Sequence, residues 1–336
     1  MRDVEVIEIL ESNYGLKKVS VKRIKAVYRV HSEKDTYCLK VIPYELSHFL
    51  FIVGAMKHLQ SNGFQDIPAI IPAEDGRDYV EFGDGFAYLT LWLGGRESFY
   101  DNPYELAMAA VKLGELHNAS ENFQVKDYMK PRVGWFKWIE VFRTRRSEIV
   151  DFKYRILDKS SRTKFDMKYL DIMEEELERC DRSIENLLRS NYEKKCIKEV
   201  QAGGFCHHDY ANHNVLINGN AVNIIDFDYC ILDLYLHDLS SLLIRSMKYG
   251  KWDERRALVV LRNYKSVHRL EEEDRDIILG FMEFPQDYWQ RGIQYYWENQ
   301  PWDEEFFLRK LRLYEEDRNE RQKFIDRFRE FDFSNI

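Results

Sequence analysis

The residues best suited to chemistry in this sequence lie in the segments HHDYANHN (207–214) and IDFD (225–228). Asp209 and Asn214 stand five positions apart in a polar stretch that is typical of a loop. Two strand-like runs, VLI and AVNIID, follow this stretch, and the Asn-Gly pair between them is a strong hairpin signal. We therefore expect the chain to turn back and to bring Asp226, at the end of the second run, beside Asp209 and Asn214.

A convergent Asp, Asn and second Asp form the set that phosphoryl transfer from a nucleotide requires. One Asp accepts the proton of the acceptor hydroxyl, while the Asn side-chain oxygen and the other Asp bind Mg²⁺. Hard oxygen ligands suit Mg²⁺, and catalysis in such sites depends mainly on positioning and on charge neutralisation. The two segments therefore predict a nucleotide-dependent phosphotransferase.

A lysine in the first part of the chain fits the same chemistry. Lys40 lies in TYCLKVI (36–42), in the manner of the V-A-I-K strand of kinases, and there it would face a cleft and neutralise the α- and β-phosphates. The segment TLWLGGRE (90–97) is placed like a hinge between two lobes. Its backbone groups, at Leu91 and Leu93, are candidates to meet the edge of an adenine.

The elements that must position these residues change in character near residue 93. Before it, short runs rich in β-branched and aromatic residues predict two hairpins, with a helix at 46–60 between them. The hairpins comprise AVYRV (26–30) with TYCLKVI (36–42), and DYVEF (78–82) with FAYLTLWL (86–93) around Gly83-Asp84-Gly85. Long helical patterns follow. We predict an α+β, bilobal fold, with a small antiparallel-sheet lobe at 1–93 on the nucleotide side, a larger and mainly helical lobe at 94–336, and a cleft between them.

Composition excludes several other classes of protein. The 336 residues include 50 Lys and Arg against 58 Asp and Glu, so the net charge of −8 argues against a nucleic-acid partner. The longest strongly apolar run, FLFIVGAM (49–56), falls far short of the ~20 residues of a membrane helix, so no membrane partner is expected. The first twenty residues lack the apolar core of a signal peptide, which predicts cytoplasmic synthesis. Five scattered cysteines predict reduced thiols.

The motif HxDxxxxN followed by IDFD, with LGELH (113–117) before it and HDLSSL (237–242) after it, resembles the aminoglycoside phosphotransferase and choline kinase superfamily. Within this superfamily, FCHHDYANHNVLI and IIDFDYCILDLYLHDLSSLL are similar to the CotS-type spore-coat proteins of endospore-forming bacteria. The resemblance implies a protein-kinase-like fold, ATP and Mg²⁺ as cofactors and a small-molecule hydroxyl as the phosphate acceptor. It also implies a place in the spore coat, with other spore-coat proteins as candidate partners.

The same resemblance implies a role for each matching residue. Asp209 takes the position of the catalytic base, Asn214 and Asp226 take the metal positions, and Lys40 takes the phosphate position. Three further side chains are implied to support the site: His207 braces the loop, Asp228 is an accessory metal or substrate contact, and Asp238 ties the loop to the following helix.

Two departures from the family pattern keep a second hypothesis open. The segment VSVKRIKAVYRV (19–30) contains no glycine, although close approach of the backbone to phosphates favours glycine. Residues 46–60 contain no acid that could pair with Lys40, and Glu45 is the nearest candidate. A catalytically degenerate, kinase-like structural or interaction protein of the spore coat therefore stands as the alternative.

A metal-dependent hydrolase is a third hypothesis. His207, His208 and His213, together with Asp209, could hold zinc or iron. No further histidine pair at ligand spacing is present, and this hypothesis leaves the Asn and the second Asp without a role. We rank it below the kinase.

Overall fold

The computed structural model describes residues 3–42, 44–83 and 85–336. An antiparallel sheet dominates the part of the chain up to residue 91. The strands of this sheet are β1 (Ser20–Ile24), β2 (Val27–His31), β3 (Thr36–Ile42), β4 (Ile70–Ile71), β5 (Val80–Phe82) and β6 (Gly85–Leu91). They lie in the order β1-β2-β3-β6-β4, and β5 also pairs with β6. The hairpins β2–β3 and β5–β6 confirm the two that the sequence predicts. Asp84, in the predicted turn of the second hairpin, lies outside the described residues.

The register of the β2–β3 pair determines the face on which Lys40 lies. Val27 is opposite Lys40, and the neighbouring Tyr37 and Leu39 are buried in a small core shared with helix α1 (Asp3–Tyr14). Successive side chains of a strand alternate between the two faces of a sheet. Burial of Tyr37 and Leu39 therefore directs Lys40 away from this core.

Helix α2 (Leu46–Ser61) is buried on two sides. Phe49 packs with Tyr88 of the sheet, while Phe51 and Met56 belong to the core of the helical part of the chain. A helix that is buried on both sides has few positions at which a charged side chain can remain hydrated. Most positions of this helix are therefore unsuited to an acid, and its exposed position 57 holds a lysine that pairs with Asp78.

The remainder of the chain is mainly helical and shares one large apolar core. Its helices are α3 (Pro103–Ser120), α4 (Trp138–Leu157), α5 (Lys164–Arg189), α6 (Tyr192–Ala202), α7 (Leu236–Met247), α8 (Glu254–Lys265), α9 (Asp274–Glu283), α10 (Gln286–Gly292) and α11 (Glu304–Phe328). The side chain of Asn102 caps α3, and a capping box formed by Thr163 and Asp166 begins α5. None of the helices in the described ranges combines the length and the apolar character of a membrane span.

A second, three-stranded sheet lies within the helical part and positions the candidate site. It comprises β7 (Arg96–Glu97), β8 (Val215–Asn218) and β9 (Ala221–Ile224), in that order. The predicted hairpin is present as β8–β9, but its two central residues are Gly219 and Asn220 rather than Asn218 and Gly219. Gly219 has a φ of 60°, which glycine adopts most readily, and this conformation fixes the turn one residue later.

Candidate active site

The loop at 207–214 is tied to the beginning of α7 by one buried carboxylate. Asp238 accepts hydrogen bonds from the backbone N–H groups of His207 (2.7 Å) and His208 (2.9 Å). Burial alone would raise the pKa of Asp238, but two histidines, one on α3 and one on α7, hold that pKa well below its ordinary value. An ionised Asp238 therefore fixes the backbone that leads into Asp209.

The buried ring of His207 links this loop to the end of β9. The N–H of Asp209 donates to Nδ1 of His207 (3.3 Å), so the ring proton is on Nε2, which lies 3.0 Å from the carbonyl oxygen of Ile225. Burial lowers the pKa of His207 and keeps the ring neutral. Because Ile225 precedes Asp226, the ring couples the positions of two predicted site residues.

Asp209 and Asn214 are in direct contact. The side-chain nitrogen of Asn214 donates to Oδ2 of Asp209 (3.0 Å) and to the carbonyl oxygen of Asp209 (2.9 Å). Asn214 is 2% exposed, and the N–H of Ile225 donates to the backbone carbonyl oxygen of Asn214 (3.0 Å). Since the amide nitrogen is turned toward Asp209, the amide oxygen of Asn214 remains as a hard ligand for a cation.

Lys40 reaches the segment 225–228 from the sheet. Its Nζ lies 2.6 Å from Oδ1 of Asp226 and 2.8 Å from Oδ2 of Asp228. Burial alone would lower the pKa of Lys40, but Asp228 and Asp226 raise it above its ordinary value. Burial would likewise raise the pKa of Asp226, and Lys40 holds it below its ordinary value instead. The lysine and Asp226 are therefore both charged at neutral pH.

The structure identifies the partners of Lys40, which the sequence left open. Glu45 forms an exposed ion pair with Lys130 (2.9 Å) and does not contact Lys40. Two acids of the 225–228 segment take the place of a helix glutamate. Tyr44, which is absent from the predicted set, adds a hydrogen bond from its hydroxyl to Oδ1 of Asp228 (3.2 Å).

Arg245 on α7 is the main site residue that the sequence did not predict. Its Nη2 lies 2.9 Å from Oδ1 of Asp209, and its Nε donates to the hydroxyl of Ser241 (3.2 Å). Arg245 follows Asp238 by seven residues, which is two turns along the same face of the helix. This spacing is the signal that could have found it. The arginine occupies one of the two carboxylate oxygens of Asp209.

The turn of the β1–β2 hairpin, on the side proposed for the nucleotide, is tight. Ile24 pairs with Val27, so the turn between β1 and β2 contains two residues and no glycine. In the proposed hinge, the N–H of Leu91 already donates to the carbonyl oxygen of Ala69 (3.0 Å) and is not free for an adenine. The N–H of Leu93 forms no hydrogen bond within the described ranges.

The histidines of the loop do not converge on one point. His208 adopts a φ of 68°, and its ring stacks on that of His237 with 4.0 Å between centroids. Burial lowers the pKa of His208 to about 3. His213 is exposed, and its Nε2 lies 4.0 Å from the carboxylate of Asp209. This arrangement does not favour the zinc or iron site of a hydrolase.

One group of three side chains that could hold a metal ion is found among the described residues, behind the loop. His117, Cys206 and Asp238 have ligand atoms within 4.8 Å of one another. The thiol of Cys206 donates to the carbonyl oxygen of Leu234 (3.0 Å), and burial raises the pKa of the thiol far above its ordinary value. Nδ1 of His117 lies 2.8 Å from the hydroxyl of Tyr264. These internal contacts favour a structural role.

Comparisons with known proteins agree with the resemblance noted in the sequence. The family model described as "Spore coat putative kinase YutH" matches residues 7–328. Spore coat protein S of Bacillus subtilis (strain 168) is 23% identical over 288 residues, which cover 85% of this chain and 82% of that protein. Both findings confirm the similarity to CotS-type spore-coat proteins.

Solved structures confirm the kinase-like fold. An aminoglycoside phosphotransferase from Alicyclobacillus acidocaldarius subsp. acidocaldarius DSM 446 has a TM-score of 0.81 at 21% identity, and the match covers 93% of this chain and 91% of that one. A spectinomycin phosphotransferase in complex with ADP and its antibiotic has a TM-score of 0.70 at 16% identity, with 98% and 99% covered. The predicted α+β architecture is therefore correct.

Proposed function

Because this chain belongs to the family described as spore coat putative kinase YutH, we propose that it is an ATP- and Mg²⁺-dependent phosphotransferase that acts on a hydroxyl group of a small molecule. The observation that carries the proposal is that two contacts, Asp209 with Asn214 and Lys40 with Asp226, are joined by the hydrogen bond from the N–H of Ile225 to the backbone carbonyl of Asn214. Relatives in the spore coat support the same location for this protein, with other coat proteins as candidate partners.

In this proposal, Asp209 accepts the proton of the acceptor hydroxyl. The amide oxygen of Asn214 and the carboxylate of Asp226 hold the magnesium ion, with Asp228 as an accessory contact. The donor set fits such an ion, since it consists of hard oxygens. When bound, Mg²⁺ neutralises charge on the phosphate chain.

Lys40 has a second task in the proposal. Its ammonium group neutralises Asp226 and Asp228, and the lysine on the corresponding strand of kinases contacts the α- and β-phosphates. We propose that Lys40 exchanges these carboxylates for phosphate oxygens when nucleotide binds. His207 and Asp238 act as positioning residues, because they are buried and hold the backbone immediately before Asp209 and Asp226. The backbone of Leu93, with the carbonyl of Leu91, is the proposed adenine contact.

A binding experiment and a transfer experiment test the proposal together. At 100 times its dissociation constant, MgATP should add ~2.7 kcal/mol to the free energy of unfolding. The variant Lys40→Met should lose most of this effect. The variant Asp209→Asn should retain it and should lose phosphoryl transfer, measured as ADP release with a panel of hydroxyl compounds. Undiminished transfer in Asp209→Asn would reject Asp209 as the base.

The second candidate is a structural protein of the spore coat on the same fold. The tight β1–β2 turn and the ion pair of Arg245 with Asp209 favour it, because the turn has no glycine to let the backbone approach phosphates and the ion pair occupies the proposed base. Absence of a thermal shift at millimolar MgATP would support this candidate over the kinase.

A further inference from the structure

A cavity of about 940 Å³ lies beside the loop, among α4, α7, α9 and α10. Its wall includes His208, which precedes Asp209, and Arg245, which contacts the carboxylate of Asp209. On the proposed function this cavity is the acceptor site, because its wall includes the residue that precedes Asp209 and the arginine that pairs with Asp209. The charges in its wall then indicate the class of acceptor.

The five carboxylates in the wall already have partners. Indole N–H groups donate to three of them, which are Glu148, Asp233 and Asp317. The other two lie within 4.0 Å of a lysine ammonium group: Glu140 of Lys137, and Asp287 of Lys248. The wall as a whole holds six lysine and arginine side chains against these five carboxylates, so its formal charge does not favour a cationic acceptor.

The cations in the wall are less well paired. Within the described ranges, the guanidinium group of Arg145 has no carboxylate within 4.0 Å. It donates to the side-chain oxygen of Gln286 (2.6 Å) and lies over the ring of Trp289 at 4.3 Å. Burial lowers the pKa of Arg145 to about 10, and the charge of Glu148, which lies beyond ion-pair distance, offsets only part of that fall. Lys248 is 4.0 Å from its nearest carboxylate, that of Asp287.

An anionic ligand in the cavity would compete with Asp209 for Arg245. Its guanidinium group forms an ion pair with Oδ1 of Asp209, one of the two oxygens that could accept a proton from an acceptor. A ligand with its own negative charge would offer Arg245 another partner. A neutral or cationic ligand would leave Arg245 on Asp209.

We propose that the acceptor carries a phosphate or carboxylate group in addition to the hydroxyl that is phosphorylated, and that Arg145 and Lys248 bind this anionic group while Arg245 turns to it from Asp209. The hydroxyl oxygen then forms a bond to the γ-phosphorus of ATP. The bond from that phosphorus to the β,γ-bridging oxygen breaks, and ADP leaves with the electron pair. The hydroxyl proton passes to the carboxylate that Arg245 has released.

Three matched hexoses test the class of acceptor: glucose 6-phosphate, glucose and glucosamine. Their affinities for the full chain are measured by calorimetry at constant ionic strength, with Mg²⁺ and a non-hydrolysable ATP analogue present. We expect glucose 6-phosphate to bind at least about tenfold more tightly than glucosamine, which corresponds to about 1.4 kcal/mol. The variant Arg145→Gln should weaken binding of glucose 6-phosphate by about tenfold or more.

Arg143→Gln is the matched control, because Arg143 lies on the same helix, is exposed and is outside the cavity wall. Its affinity for glucose 6-phosphate should equal that of the wild type. Equal binding of glucosamine and glucose 6-phosphate, no binding of any hexose, or an unchanged affinity in Arg145→Gln would each overturn the inference.

The two proposals fail in different ways. Phosphorylation of a cationic acceptor but not of glucose 6-phosphate would overturn the anionic acceptor and leave the phosphotransferase intact. Binding of glucose 6-phosphate that depends on Arg145, in a protein that neither binds MgATP nor transfers phosphate, would support the anionic cavity and reject the phosphotransferase.

Discussion

Asp233 gives the fold a measurable dependence on pH. This carboxylate is buried in the wall of the cavity, where it accepts hydrogen bonds from the indole of Trp138 (2.9 Å) and from the N–H of Leu234 (2.8 Å). Burial raises its pKa from 3.8 to about 6, and these donors offset only part of that rise. The variant Asp233→Asn keeps the shape of the side chain and removes its titration.

The sign of the effect follows from which state holds the proton. Between pH 3.8 and about 6 the folded state retains a proton on Asp233 that the unfolded state has released. Protonation of Asp233 therefore stabilises the folded state fully below its unfolded-state pKa of 3.8. This stabilisation is lost as the pH rises through the folded-state pKa of about 6. At about 1.36 kcal/mol per pKa unit the whole effect is about 3 kcal/mol, of which about 2 kcal/mol falls between about pH 4.5 and pH 7.5.

Urea denaturation followed by tryptophan fluorescence measures this contribution. The free energy of unfolding of the wild type minus that of Asp233→Asn should be about 2 kcal/mol lower at about pH 7.5 than at about pH 4.5. Asp238, whose pKa is depressed, changes stability in the opposite direction, but it is present in both proteins and cancels in the difference. A difference that is constant with pH, or that increases with it, would refute the assignment of a raised pKa to Asp233.

Three further substitutions test the packing, each by urea denaturation at neutral pH. Gly134→Ala places a Cβ 2.3 Å from Oδ2 of Asp233 and should lower stability by about 1–3 kcal/mol, so wild-type stability would contradict the tight approach. Arg179→Met removes the cation between two buried glutamates of α5 and α9 and should cost about 3–5 kcal/mol; a neutral effect would mean that these acids are protonated. Thr163→Ala removes the acceptor for the N–H of Asp166 and should cost about 1 kcal/mol, whereas Thr163→Ser should retain the cap.

Local patterns in the sequence were sufficient for the elements and for the contact within the loop. Runs rich in β-branched and aromatic residues predicted the β2–β3 hairpin, and five-residue spacing on a polar loop predicted that Asp209 and Asn214 would meet. The exact turn of the β8–β9 hairpin was not predictable from the sequence. Glycine is permitted at either central position of such a turn, so central residues Asn218-Gly219 and Gly219-Asn220 are both allowed. The division into lobes at residues 93 and 94 stays a prediction.

The long-range ion pairs could not be predicted in the same way. Lys40 and Asp226 are 186 residues apart, and nothing local to either residue specifies the other. A glutamate on α2 would be the usual partner of such a lysine, but this helix is largely buried and contains no acid. Two acids that were predicted as a metal ligand and as an accessory metal or substrate contact are its partners instead. The position of Arg245 could have been predicted, since the sequence shows it seven residues after Asp238, on the same face of one helix.

Backbone strain at Asp226 bears on the choice between a kinase and a structural protein. Its φ of 67° costs a residue other than glycine about 1–3 kcal/mol, and glycine would adopt the conformation without that cost. The strained residue presents a carboxylate that is 39% exposed at the cleft and, owing to Lys40, ionised at neutral pH. Backbone strain clusters at ligand-binding sites, but Lys18 and Lys25 also have positive φ values and take no part in this site. Asp226 differs from them because it combines the strained backbone with an ionised carboxylate, a hard oxygen ligand, that is paired with Lys40. On the proposed function this combination fits the metal position better than a role in packing.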